Sequence, residues 1–149
     1  MALKKDRVEL DYDLSFFMSE VAERGSFVSL STAGSGAAMD SSVAVATVAA
    51  DASGSYPLGC LLNDVVNLDL TRQHMNFYKN EVQSGGKVTI LRKGVVVTDQ
   101  VSGSPTAGAT AYLADSGKVS TTQETGSLAV GQFLSTKDAD GYAKVSVNI

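Results

Sequence analysis

The last third of the chain is a series of short apolar runs separated by turn sequences, and this pattern constrains the fold most strongly. Residues 143–149 alternate Ala, Val and Ile with Lys, Ser and Asn, which is the period-two pattern of a strand with one buried face. Residues 109–113, 118–121 and 130–135 are further apolar runs, bounded by segments rich in Gly, Pro, Asp and Ser. We predict that each run is a strand.

The composition agrees with a mainly β fold. The chain has 149 residues, enough for one domain with a sizeable core. Fourteen glycines and two prolines, with abundant Val, Ala, Ser and Thr, favour many short strands over long helices. We predict a small β-barrel or β-sandwich with Greek-key-like connections over residues 26–149, with an excursion at residues 67–86.

The N-terminal residues 1–25 are predicted to form an arm. Val8 and Leu10 alternate with Glu9 and Asp11, which suits an extended chain. After Asp13, apolar residues follow at helical spacing up to Gly25, namely Leu14, Phe17, Met18 and Val21. We favour a short helix over residues 13–24, and a continued extended arm is the alternative.

The middle of the chain supplies further strand candidates. Residues 27–30, 42–49 and 58–70 contain apolar runs that suit strands. Residues 88–98 read as a hairpin in which Gly94 takes the left-handed position of a three-residue loop. Residues 95–97 are all valine, without alternation, which predicts that both faces of that strand are covered.

Charge and cysteine content restrict the partners. Twelve Lys and Arg residues against 16 Asp and Glu give a formal net charge of −4, so we expect no binding to nucleic acid phosphates. No stretch has the length and apolar character of a signal peptide or a membrane span, so we expect no membrane partner. The single cysteine, Cys60, cannot form an internal disulfide.

The residues that usually carry catalysis are scarce. His74 is the one imidazole of the chain, and no Gly-x-Ser-x-Gly sequence accompanies it. Residues 138–141 resemble the middle of a calcium loop, but Val147 occupies the position where that loop needs a glutamate. We therefore predict a hairpin turn there, no metal site, no cofactor and no enzymatic activity.

Several of these segments, in this order, resemble a known family. Residues 108–113, 116–119, 130–134 and 141–147, with residues 57–65 and 87–94 before them, are similar to the head decoration, or capsid cement, proteins of tailed bacteriophages. The resemblance implies a structural virion protein that binds the outside of the assembled head and stabilises contacts between major capsid subunits. It also implies assembly in the cytoplasm of the bacterial host.

Two groups of residues are candidates for contacts under this interpretation. Residues of the arm would bind the capsid, namely Val8, Leu10, Tyr12, Phe16 and Phe17. Residues 71–82 combine aromatic, Met and basic side chains, which interface cores favour. Self-association, as a trimer by preference or a dimer, would use His74, Met75, Phe77 and Tyr78.

A carbohydrate-binding or adhesin module displayed on the virion is the alternative function. Such modules share sandwich and barrel folds with strand-rich sequences. Sugar sites often use exposed Trp, and this chain has none, although it has five Tyr and five Phe. Binding to glycans would favour the adhesin, and saturable binding to heads would favour the decoration protein.

Overall fold

The protein is mainly β, as the sequence predicts. The computed structural model describes residues 3–31, 44–67 and 81–149. The strands are β1 (Val8–Met18), β2 (Phe27–Ser31), β3 (Val45–Thr47), β4 (Pro57–Leu61), β5 (Asp64–Val66), β6 (Glu81–Gln83), β7 (Gly86–Thr98), β8 (Thr110–Ala114), β9 (Lys118–Ser120), β10 (Ala129–Phe133) and β11 (Ala143–Asn148). A 3₁₀ turn, Asp115–Gly117, joins β8 to β9.

Of the strands in the described part of the chain, nine form one mixed sheet, and β5 and β6 form a separate parallel pair. The order in the large sheet is β1-β3-β2-β4-β7-β11-β10-β8-β9. Strand β1 also pairs with β7 in antiparallel register, from Val8 opposite Val95 to Met18 opposite Gly86. Because β1 has both β3 and β7 as neighbours, the sheet folds back on itself in a sandwich-like arrangement.

Strand β7 lies between two apolar clusters. Leu91 and Val96 belong to the first cluster, together with Phe27 and Phe133. Val88 and Ile90 belong to the second cluster, which contains Met18, Val28, Ala46, Leu58, Leu61 and Val65. Strand β7 contributes to both clusters and pairs with β1, β4 and β11. It therefore connects the two apolar clusters.

The predicted hairpin over residues 88–98 is wrong, because this segment is one continuous strand. Gly94 does not form a turn. A Cβ atom at Gly94 would lie 2.1 Å from the carbonyl oxygen of Val8, so glycine allows β1 to approach β7 closely. Val96 is fully buried and Val95 and Val97 are half-buried.

The predicted helix over residues 13–24 is also wrong. Residues up to Met18 belong to β1, and the extended alternative is correct for them. Apolar and polar residues alternate from Val8 to Phe16, and that pattern, with the pairing to β7, outweighs the helical spacing that begins at Leu14. Asp13 does not cap a helix; its carboxylate accepts hydrogen bonds from the Ser15 N–H (2.7 Å) and hydroxyl (2.5 Å) where the register with β7 shifts.

The C-terminal strands lie where the sequence predicts them. In β11 the side chains of Ala143, Val145 and Val147 are buried while Lys144 and Asn148 are exposed. The turn before β11 is closed by Asp138, whose carboxylate accepts the N–H groups of Asp140 and Tyr142 at 3.0 and 2.9 Å. These residues form a hydrogen-bonded turn, as predicted.

Candidate docking surface

Strand β1 carries four exposed large apolar side chains at alternate positions. The exposed fractions are 52% for Val8, 75% for Leu10, 52% for Tyr12 and 56% for Leu14. Pairing with β7 holds the backbone in place, although the register shifts near Leu10, Asp11 and residues 14–15. We call these four side chains the β1 apolar row. Apolar side chains grouped in this way on a surface mark an interaction site more often than isolated ones do.

The structure separates the predicted capsid-binding residues into two groups. Val8, Leu10 and Tyr12 are exposed. Phe17 is buried, and Phe16 is half-buried and packs against the second cluster, so neither belongs to the β1 apolar row. Sequence reasoning assigned Leu14 to a helix face instead, although the alternation from Val8 to Phe16 contains the signal that would have placed it in the row.

The start of the chain is anchored to the protein's own domain. Leu3 is buried in the first cluster and pairs with Thr98. The Lys4 N–H donates to the Val97 carbonyl at 2.9 Å, and Lys4 Nζ lies 3.3 Å from Asp138 Oδ2 and 4.4 Å from the centre of the Tyr142 ring. The chain is thus fixed on both sides of residues 5–7.

Acidic side chains alternate with the apolar row. Arg7 Nε lies 2.6 Å from Glu9 Oε1, and Asp11 lies opposite Lys93 in the register with β7. The hydroxyl and the N–H of Ser15 hold the pKa of Asp13 below its usual range. Asp13 is therefore charged at neutral pH, next to exposed hydrocarbon.

The predicted self-association residues His74, Met75, Phe77 and Tyr78 lie outside the described residues. The predicted excursion at residues 67–86 is described at its two ends only. Asn67 follows β5, and β6 begins at Glu81. The assignment of those four residues to self-association stays a prediction.

Three carboxylates that sequence reasoning did not connect lie close together. The oxygen atoms of Asp51, Asp115 and Glu124 lie within 4.8 Å of one another and could hold a cation. The pKa of Glu124 is raised by desolvation, by a hydrogen bond with Asp115 and by the neighbouring charges. The Ala52 N–H also donates to Asp115 at 2.8 Å. The three acids come from three separate loops, so no spacing in the sequence announces the group.

The single thiol of the chain is not available at the surface. Cys60 lies in β4 and is fully buried, and burial raises the pKa of its thiol to about 12. A reactive cysteine needs thiolate character and access. Cys60 therefore acts as an apolar side chain of the first cluster.

In residues 3–31, 44–67 and 81–149, no helix has the length and apolar character to cross a bilayer.

Comparison with known proteins identifies the class to which the chain belongs. The family model described as XM1 gp53 minor capsid protein matches residues 9–149. A search of curated proteins gave no match. The resemblance to phage head-associated proteins is confirmed at the level of a phage capsid protein family. The chain therefore belongs to the XM1 gp53 minor capsid protein family, which implies a structural role and a place in the virion.

Proposed function

We propose that this minor capsid protein binds the outside of the assembled phage head and stabilises contacts between major capsid subunits. The β1 apolar row, Val8, Leu10, Tyr12 and Leu14, would form the surface that contacts the capsid. The observation that carries this proposal is that one strand of a capsid protein exposes four large apolar side chains by half or more.

The energetic argument rests on burial and repetition. Full burial of one Leu or Val side chain contributes roughly 1.5–3 kcal/mol, so a few such side chains give modest affinity for each copy. Because β7 already holds β1 in an extended form, little backbone entropy is lost on docking. Repetition over a symmetric lattice, and over an oligomer of this chain, multiplies the effect.

The remaining expectations belong to the same proposal. The protein would act without catalysis or a cofactor, would not bind nucleic acid, and would assemble on the head in the host cytoplasm. A homo-oligomer, with a trimer preferred over a dimer, would allow several capsid subunits to be bridged by one assembly. His74, Met75, Phe77 and Tyr78 would contribute to its self-association.

Co-sedimentation with expanded heads assembled without this protein tests the proposal. The wild-type protein should saturate at a simple ratio to the major capsid subunits. The double variant Leu10→Ser/Leu14→Ser should bind at least roughly tenfold more weakly, with a free energy of unfolding within about 0.5 kcal/mol of the wild type. Substitution is preferable to truncation because β1 also contributes Phe17 and Met18 to the interior.

Leu128→Ser is the matched control, because Leu128 is similarly exposed at 44% and lies outside β1. It should bind heads like the wild type. Wild-type protein that does not pellet above background would reject the head-binding proposal, and a glycan array would then test the adhesin alternative. If Leu128→Ser weakened head binding as much as Leu10→Ser/Leu14→Ser does, the assignment of the capsid contact to β1 would be rejected.

A further inference from the structure

A groove lies on the side of the molecule where the small β5–β6 sheet meets the chain after β1. Its volume is about 470 Å³. Ala22 pairs with Val65, and Val65 with Val82, and these three side chains pack into the second cluster. Alternation then places their chain neighbours on the outer face. Those neighbours, Val21, Glu23, Asp64, Val66 and Glu81, line the groove, and we call them the acidic groove.

The acidic groove combines hydrocarbon with an excess of negative charge. Val21 is 59% exposed. Asp64 lies directly opposite Glu81 in the β5–β6 register, an arrangement of like charges that is unfavourable without a cation nearby. Arg24 pairs with Asp64, with Nε 3.8 Å from Oδ2. Among the described residues Glu81 forms no ion pair, so its carboxylate is available to a positively charged partner.

A second surface has the opposite charge. In the β7–β11 pairing, Lys144 lies opposite Val97 and Asn148 lies opposite Lys93, and residues opposite each other share a face. Their neighbours Ala143, Val145 and Val96 point into the first cluster. Lys93, Val95, Val97 and Lys144 therefore lie on the outer face, and we call them the basic stripe.

The basic stripe also combines hydrocarbon with charge. Val95 and Val97 are half-buried, and Lys93 and Lys144 are exposed. Lys93 has Asp11 opposite it in the register with β1. Lys144 forms no ion pair among the described residues, so its charge is available to a partner.

We propose that the basic stripe of one copy of this protein docks into the acidic groove of a second copy. Lys144 would lie against Glu81, and the valines of the stripe would cover Val21 and Val66. The charge complementarity of the two surfaces supports a second copy as the occupant. Each surface repels its own kind, which disfavours an arrangement in which the same patch of two copies meets.

A contact between two different surfaces repeats head to tail and closes into a ring when the rotation between copies allows it. This inference deepens the proposal of a homo-oligomer, and it does not depend on head binding. It gives that oligomer cyclic symmetry, with every copy donating one stripe and one groove.

Sedimentation velocity of the purified full chain over a concentration series, at low and high salt, tests this contact. The wild type should form a discrete oligomer whose dissociation constant rises with salt. Lys144→Glu and Glu81→Lys should each raise that constant at least roughly tenfold, because each places like charges together. The double variant Lys144→Glu/Glu81→Lys should return to within about threefold of the wild type, because it restores opposite charges across every joint.

Lys118→Glu is the matched control, since it reverses the charge of an exposed lysine in β9 and should assemble like the wild type. Circular dichroism confirms that each variant is folded. A monomeric wild type, single variants that assemble normally, or a double variant that stays dissociated would each overturn the proposal. Leu10→Ser/Leu14→Ser should keep the oligomer while losing head binding, so the failure of one proposal is distinguishable from the failure of the other.

Discussion

The C-terminal strands β8–β11 and the N-terminal strand β1 differ in how completely they bury their large apolar side chains. Strands β8–β11 have three to six residues each, and the turns between them are closed by local hydrogen bonds such as those to Asp138. In β10 and β11, Val130, Phe133, Val145 and Val147 are buried. Strand β1 has 11 residues, several register shifts and four exposed apolar side chains.

The difference shows which apolar side chains are already covered within the isolated chain. The C-terminal strands bury their large apolar side chains within the domain, apart from residues at their borders such as Leu128 and Leu134. Strand β1 leaves hydrocarbon in water while its far end, at Phe17 and Met18, is fixed in the interior. Under the proposed function, a partner covers this exposed strand.

Gly131→Ala should have the largest effect on stability, because it disrupts the pairing of the C-terminal strands. A Cβ atom there would lie 1.7 Å from the Ser146 carbonyl oxygen, so β10 and β11 would have to separate. We expect a loss of more than about 3 kcal/mol in the free energy of unfolding, measured by urea denaturation. The control Gly108→Ala, which meets nothing within 4 Å, should lose about 1–2 kcal/mol through its left-handed conformation. Equal losses would show that contact with β11 is not what requires glycine.

Gly94→Ala should have an intermediate effect on stability, and it should weaken the pairing of β1 with β7. Its Cβ atom would meet the Val8 carbonyl oxygen at 2.1 Å, at one end of a strand that can shift. We expect a loss of about 2 kcal/mol and faster amide hydrogen exchange in β1 than in β8–β11. Exchange that accelerates equally in all these strands would contradict the idea that β1 can separate from β7 while the C-terminal strands remain paired.

The contact of Lys4 with Asp138, which joins the two regions, should have the smallest effect. The Tyr142 N–H, the Lys4 ammonium and the Asp140 N–H hold the pKa of Asp138 below its ordinary value of 3.8. Stabilisation from a depressed pKa is complete above that ordinary value and is lost as the pH falls through the lower pKa of the folded protein. The melting temperature of Asp138→Asn should therefore fall less than that of the wild type between neutral pH and pH values below 3.8. Identical pH profiles for Asp138→Asn and the wild type would contradict this role.

The sequence predicts local structure well and long-range structure poorly. Strands β8–β11 follow from alternation and turn residues. The turn at residues 138–141 was preferred over a calcium loop because Val147 stands where that loop needs a glutamate. The helix over residues 13–24 and the hairpin at Gly94 were wrong for one shared reason. Both segments take their form from the pairing of β1 with β7, which no local window contains.

The candidate surfaces show the same limit. Val8, Leu10 and Tyr12 were selected correctly as exposed residues, whereas Phe17 was not, because it is buried where β1 pairs with both β3 and β7. The acidic groove and the basic stripe each combine residues from segments far apart in the chain. Their charges are visible in the sequence, but their proximity is a product of strand register.

The central position of β7 also determines the order in which the protein can form during synthesis. Strand β1 leaves the ribosome long before Gly86–Thr98 exists, and at about 5–20 residues per second the wait lasts for several seconds. During that time the β1 apolar row has no strand beside it. The β1 apolar row is therefore most open to other nascent chains at this early stage, and the like charges of Glu9, Asp11 and Asp13 between its residues oppose such association.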